Sequence, residues 1–292
     1  MIKLFSYILY IIIIKINDLI FLITKRNFRY YLYDYLRDSS ISTLFISNKK
    51  ISFFTPSSIS KWRIDNFFEK EPETLEWIDD FEDSNSIFWD IGANIGVYSI
   101  YAAVKKSKLR VFSFEPSTSN LNLLSRNISM NQLHERITIS QIPLTVSDNQ
   151  FLMMKESSLI EGSALNAFGV DFDSNGENIQ EINKYKIFGN SINDFLDSGT
   201  LEIPDYIKID VDGIEHLILS GADKYLNNKK IKSILVELNE DFKDQFKSSL
   251  EILNNNGFSL EKKERSKMVK RDHLNSKTYN FIFKRYLNKS LI

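Results

Sequence analysis

Ile87-Phe88-Trp89-Asp90-Ile91-Gly92-Ala93-Asn94-Ile95-Gly96-Val97-Tyr98 is the stretch whose reading decides the fold. Its first half is an apolar run of strand length, and its second half opens an amphipathic helix. Between them lies a turn with an acid, an asparagine and two glycines. Glycine at a strand-to-helix turn lets the backbone take φ > 0 and lets a ligand reach the main chain. The following helix aims unpaired N–H groups and a positive dipole end at the same spot. The stretch predicts a nucleotide-type pocket at the carboxyl edge of a parallel sheet. A tight turn with glycines kept for packing is the plainer alternative.

The spacing narrows the ligand. D-x-G-x-N-x-G is not the dinucleotide fingerprint G-x-G-x-x-G, and no Gly-Lys-Ser/Thr phosphate loop follows. An acid ending the first strand suits a cationic ammonium group better than a pyrophosphate, and the methionyl end of S-adenosylmethionine carries such a group. A second apolar run, 110–114, ends in Glu115, nineteen residues past Gly96. An acid at about that distance in a βαβ unit accepts hydrogen bonds from ribose hydroxyls. A third run, 137–146, ends in Ser147-Asp148, where Asp148 either accepts from an adenine amino group or belongs to a plain turn.

Tyr206-Ile207-Lys208-Ile209-Asp210-Val211-Asp212-Gly213-Ile214-Glu215 reads as a buried strand that ends in two acids and turns at a glycine into a helix. Residues 231–238 repeat the pattern, with Glu237 at the edge. Two closing strands, 258–260 and 279–284, follow a short hairpin loop apart, which predicts an antiparallel end to a parallel sheet. Upstream, 43–47 and 51–55 read as a hairpin around Asn48-Lys49-Lys50. Pro72 suits the first turn of a helix leading into the central strand. Residues 149–205 form a long polar insert, the kind that serves as a lid or substrate loop. The whole predicts an α/β, doubly wound, Rossmann-like sheet over 43–292, preceded by a helical extension over 1–42.

With these residues in hand, the chain resembles the FkbM-like family of S-adenosylmethionine-dependent methyltransferases. The likeness rests on Asp90 to Gly96, on Phe114-Glu115-Pro116, and on Lys208 to Glu215, with 70–79 similar to the lead-in of one branch. The resemblance implies a class I methyltransferase fold, with Asp90, Gly92, Asn94 and Gly96 along the methionyl end and Glu115 on the ribose. Asp212 departs from the family, which usually has Glu there. Asn193 likewise stands where the family often has Asp.

For the chemistry, a hydroxyl acceptor must lose a proton, and carboxylates are the available bases. Asp210, Asp212 and Glu237 are the candidates, and acids converging there are expected to raise one another's pKa. Oxygen ligands of this kind also bind Mg²⁺, a reading ranked below the carboxylate base. His134, His216 and His273 read as surface residues.

The chain has 292 residues, no cysteine and a net charge of −1. This excludes disulfides and any cysteine-based nucleophile or metal site. The charge is uneven: residues 1–63 hold ten Lys/Arg against three acids, a surplus of seven that leaves −8 for the rest. No basic helix, zinc pattern or aromatic platform points to nucleic acid. A long apolar segment, 4–23, is interrupted by Lys15, Asn17 and Asp18. A charge near the centre of a span costs roughly 2.5–3.5 kcal/mol, so Lys15 and Asp18 cancel about ten Ile/Leu/Phe at around 0.5 kcal/mol each. A buried or membrane-surface helix is therefore expected, with residues 1–37 peripheral on anionic lipid at the cytoplasmic face. The function expected is O-methylation of a hydroxyl on a sugar or glycan precursor. The alternatives are a nucleotide-dependent oxidoreductase and a non-catalytic glycan- or membrane-binding module with a vestigial pocket.

Overall fold

The computed structural model describes residues 1–146, 149–265 and 277–286. Two helices come first, α1 (Ile2–Thr24) and α2 (Phe28–Asp38). The hairpin β1 (Ile41–Ile46) and β2 (Lys49–Phe54) follows. Its turn is Ser47-Asn48, both at positive φ of 49° and 63°, as a two-residue hairpin turn requires. This turn lies one residue upstream of the one read from sequence. The short helices α3 (Ser58–Asp65), α4 (Phe67–Lys70) and α5 (Pro72–Asp79) then lead to the sheet. Pro72 sits at the start of α5, where its missing N–H leaves no bond unmade.

The central sheet begins with β3 (Ile87–Ile91), α6 (Val97–Lys105), β4 (Arg110–Phe114), α7 (Thr118–Met130) and β5 (Ile137–Ser140). It resumes after the insert with β9 (Tyr206–Ile209), α9 (Glu215–Ser220), β10 (Ser233–Asn239) and α10 (Lys243–Asn255). It closes with β11 (Ser259–Glu264) and β12 (Thr278–Lys284). The strand order is β11-β12-β10-β9-β3-β4-β5. β5, β4, β3, β9 and β10 run parallel, and β12 runs antiparallel to both β10 and β11. This is the expected doubly wound sheet with its antiparallel C-terminal hairpin.

Both faces of the sheet are covered, which explains why its strands are apolar throughout rather than alternating. Phe88 on one face packs with α5, α6, α7 and the β1–β2 hairpin. Ile87, Trp89 and Ile91 on the other face pack with α9, α10 and the insert. The winding reverses between β3 and β9, so the crevice for a ligand lies at their carboxyl ends.

One reading from sequence needs correction. The third strand stops at Ser140 rather than Val146, because Pro143 has no N–H to give a ladder. Leu144 instead bridges to Asn190. The long polar insert has secondary structure of its own. It holds a three-stranded antiparallel sheet of β6 (Gln150–Glu156), β7 (Asn166–Phe168) and β8 (Asn183–Gly189), in the order β7-β6-β8, followed by α8 (Ile192–Asp197).

Candidate active site

The cleft at the switch point is built from the ends of three strands. Gly92, at φ +85°, turns the chain out of β3 so closely past β9 that a Cβ would lie 1.8 Å from the Asp210 carbonyl oxygen. Asn94 follows in the left-handed region at φ 52°. Its N–H donates to Glu115 Oε2 at 2.8 Å, and Ser117 N–H donates to Glu115 Oε1 at 2.8 Å. The Glu115 carboxylate is thereby fixed at the end of β4 and lines the cleft. Burial pushes its pKa up to about 7.

The expected cofactor residues divide. Gly92, Asn94 and Glu115 line the cleft; Asp90 and Gly96 are not part of its wall. The reason for Asp90 is the two-residue period of a strand. Its side chain points with Phe88 under α6, where Ser99 Oγ donates to Oδ2 at 2.5 Å. Asp90 is fully buried, and burial raises its pKa. Gly96 caps α6 at φ +85°, and a Cβ there would meet Leu124 Cδ1 at 2.5 Å, so it is a turn and packing glycine. Asp148 lies outside the described residues.

The acids at the other end converge as expected, but their pKa values move apart. Lys208 is 1% exposed in β9, in register with Asp90, and its Nζ donates to Asp210 Oδ2 at 2.7 Å. Burial alone raises the Asp210 pKa, but Lys208, with Lys70 and Arg63 beyond it, outweighs that and holds it at about 2. Asp210 is therefore a fixed countercharge and a poor proton acceptor. Asp212 lies in the left-handed region at φ 63°, and its Oδ2 accepts from Leu165 N–H at 2.7 Å. Burial and the Asp210 charge push its pKa up to about 6. Glu237 is raised well above the ordinary carboxylate value by burial, then by the Asp210 and Glu71 charges. The expectation of mutual raising holds for Asp212 and Glu237 and fails for Asp210.

The turn carrying these acids is held from beneath. Glu215 accepts from Val211 N–H at 3.1 Å and from Gly213 N–H at 3.1 and 3.2 Å, while Gln245 Nε2 donates to it at 2.5 Å. The insert covers the cleft as a strap across residues 161–165. Asn94 Nδ2 and Asn120 Nδ2 both donate to the Ser163 carbonyl, at 2.9 and 3.1 Å, and Arg63 Nε donates to the Gly162 carbonyl at 2.6 Å. Ser57 Oγ donates to the Glu161 carbonyl at 2.5 Å.

Sequence reading missed Arg63, Asn120, Ser163 and Tyr98 as wall residues. Arg63, Asn120 and Ser163 lie on segments distant in the chain that carry no local signal, whereas Tyr98 stands in the first turn of α6, directly after the glycine turn. Lys208 did have one, since a lone lysine in a buried strand demands acidic neighbours. Neither His134 nor His216 lines the cleft, and His273 lies outside the described residues. Among the described residues no set of three or more His, Asp or Glu is arranged to hold a metal ion.

The raised carboxylates have a consequence for stability. Glu115 and Glu215 at about 7 and Asp212 at about 6 bind protons more tightly in the folded chain than in the unfolded one. Between the ordinary carboxylate range and pH 7 the folded state holds more protons, so stability falls as pH rises through that window. His216, whose pKa burial lowers, opposes this by one group. Chemical denaturation midpoints for the ligand-free protein are therefore expected to be higher at pH 5 than at pH 8. A midpoint rising with pH across that range contradicts these assignments.

The cleft has a cavity volume of about 170 Å³. The family described as Methyltransferase FkbM domain matches residues 90–260. Methyltransferase sdnD of Sordaria araneosa is 25% identical over 173 residues, which cover 53% of this chain and 66% of sdnD. The chain thus spans just under two thirds of that relative. Hexuronic acid methyltransferase AglP of Haloferax volcanii is 24% identical over 194 residues, covering 65% of this chain and 72% of AglP. Among solved structures, a precorrin-6y C5,15-methyltransferase from Geobacter metallireducens superposes with a TM-score of 0.43 at 15% identity, covering 74% of this chain and 87% of that one.

Proposed function

Because the chain belongs to the FkbM methyltransferase domain family, we propose that it moves a methyl group from S-adenosylmethionine to a hydroxyl of a sugar or glycan precursor. The observation that carries the cofactor is the charge of the cleft. Four acids line it, Glu115, Asp210, Asp212 and Glu237. Three cations line it as well: Lys208 pairs with Asp210, Lys70 pairs with Glu71 outside the wall, and Arg63 donates to the Gly162 carbonyl. Asp212 and Glu115, neither of them ion-paired among the described residues, are the acids that can face the sulfonium and ammonium of such a ligand. S-adenosylmethionine, when bound, supplies a methyl on a positively charged sulfur.

The chain's own residues would do the rest. Glu115 takes the ribose hydroxyls on the lone pairs its backbone donors leave open. The backbone at Gly92 lets the ligand approach the end of β3. The strap over the cleft orients the acceptor and excludes water, which is the main protein contribution to a displacement of this kind. Asp212, with a pKa of about 6, is ionised at neutral pH yet basic enough to take the proton of the acceptor hydroxyl. The polar strap supports an acceptor rich in hydroxyls, and AglP, by its name, acts on a sugar acid.

The test is incubation with methyl-labelled cofactor and a panel of nucleotide sugars, lipid-linked glycans, peptides and RNA. Label in the sugar-bearing acceptors is the expected result. Label confined to peptide or RNA overturns the proposal.

A further inference from the structure

α1 carries an apolar stripe that nothing else in the described chain covers. Phe5, Ile8, Ile12, Ile16, Leu19 and Ile23 recur at the three- and four-residue spacing of one helix face, and none is less than 46% exposed. The opposite face carries Ser6, Tyr10, Asn17 and Thr24 together with Ile13 and Phe21. Asn17 is 1% exposed. Its Nδ2 donates to Asn27 Oδ1 at 3.0 Å, and its Oδ1 accepts from Arg29 N–H at 3.3 Å. This latch holds α2 on the side of α1 opposite the stripe, so α2 leaves the stripe open.

From this arrangement we infer that α1 lies in the plane of an anionic bilayer surface, with the stripe in the acyl boundary and α2 beside it at the headgroups. The charges set the occupant. Lys25, Arg26, Arg29 and Arg37 follow the stripe, and residues 1–40 hold six Lys/Arg against three acids. A surface of anionic headgroups complements that surplus. A parallel two-fold pair of the chain would instead bring the same cations together. The tyrosines Tyr30, Tyr31, Tyr33 and Tyr35 of α2 are all more than half exposed, as aromatic groups at a membrane interface are.

The same wheel decides between lying on the bilayer and crossing it. α1 is 23 residues long and apolar enough to span. Asp18, however, falls off the stripe, and Lys15 sits at its edge beside Ile8, Ile12 and Leu19, where its long stem can carry the ammonium to the headgroups. An in-plane helix keeps both charges in water; a span would bury both near its centre. This inference is independent of the methyl-transfer reading.

The experiment uses the full chain in flotation with phosphatidylcholine vesicles, with and without phosphatidylserine. Flotation with the anionic vesicles and release by high salt are expected. Ile12→Asp with Ile16→Asp should lower partitioning by at least about tenfold, while Ser6→Asn on the opposite face leaves it unchanged. Thermal melting by circular dichroism shows that the variants keep the fold, since α1 lies outside the sheet. Three results overturn the inference. One is extraction by detergent alone, which means a span. Another is undiminished flotation of the double variant. The third is a dimer that the double variant dissolves, with no vesicle binding by the unaltered chain.

Discussion

Asp212→Asn is expected to lower turnover by about 10²–10⁴-fold, the usual contribution of a positioned general base, while affinity for S-adenosylmethionine is largely kept. The substitution is isosteric, and an asparagine oxygen can still accept from Leu165 N–H, now at 2.7 Å from Asp212 Oδ2. Asparagine also tolerates the left-handed backbone that residue 212 adopts at φ 63°. What it removes is a proton acceptor. The unaltered enzyme should gain kcat/KM as pH rises through about 6, where Asp212 ionises, and the variant should lose that limb of the profile. Asp210→Asn is a different case. The Asp210 charge is committed to Lys208, so its loss strands a buried cation and should depress folding stability along with activity. Steady-state rates across pH decide the matter. Wild-type turnover in Asp212→Asn, or an unchanged pH limb, removes Asp212 from the role of base.

The second large effect is expected at Gly92. Alanine there meets two penalties at once. A left-handed backbone costs a residue with a Cβ about 1–2 kcal/mol, and forcing extra volume into a packed place costs typically 1–3 kcal/mol more. The clash is with the Asp210 carbonyl oxygen at 1.8 Å, backbone rather than a flexible side chain. The ends of β3 and β9 must separate, and they are the two strands that frame the cleft. Gly92→Ala should therefore lose roughly 2–5 kcal/mol and cofactor binding together. Gly199→Ala is the control: φ is +66° but open space surrounds it, so only the backbone penalty of about 1–2 kcal/mol applies. Urea midpoints for the two variants make the comparison. Equal losses would mean that the close approach at Gly92 is not there.

The central sheet was readable because each of its strands declares itself locally. The runs before Gly92, Glu115 and Asp210 are short, apolar and bounded by turn residues, and their acids mark the carboxyl edge. Strand period also explains what was misread. Asp90 stands at the strand end as expected, but parity turns its side chain to the face that α6 covers, beside Ser99. The small sheet of the insert was not readable, because β6 pairs with β8 across a long intervening segment and no tight turn announces the pairing. The strap at 161–165, Glu161-Gly162-Ser163-Ala164-Leu165, has no helix or strand periodicity. Its hydrogen bonds to Asn94, Asn120, Arg63 and Asp212 are made by single residues on four separate elements, a pattern that spacing cannot reveal. The pKa of Asp210 belongs to the same class. The acid and its lysine are two residues apart, but it takes a buried strand to put both on one face.

Calorimetric titration with S-adenosylmethionine, run on the unaltered chain and on Glu115→Ala, tests the central claim most directly. Saturable binding is expected for the unaltered chain, and NAD should give no comparable heat. Removing a charged acceptor of two hydroxyls should weaken the cofactor by on the order of 1.5–3 kcal/mol. Binding of NAD in preference to S-adenosylmethionine, or an affinity for S-adenosylmethionine that Glu115→Ala leaves unchanged, would contradict the account.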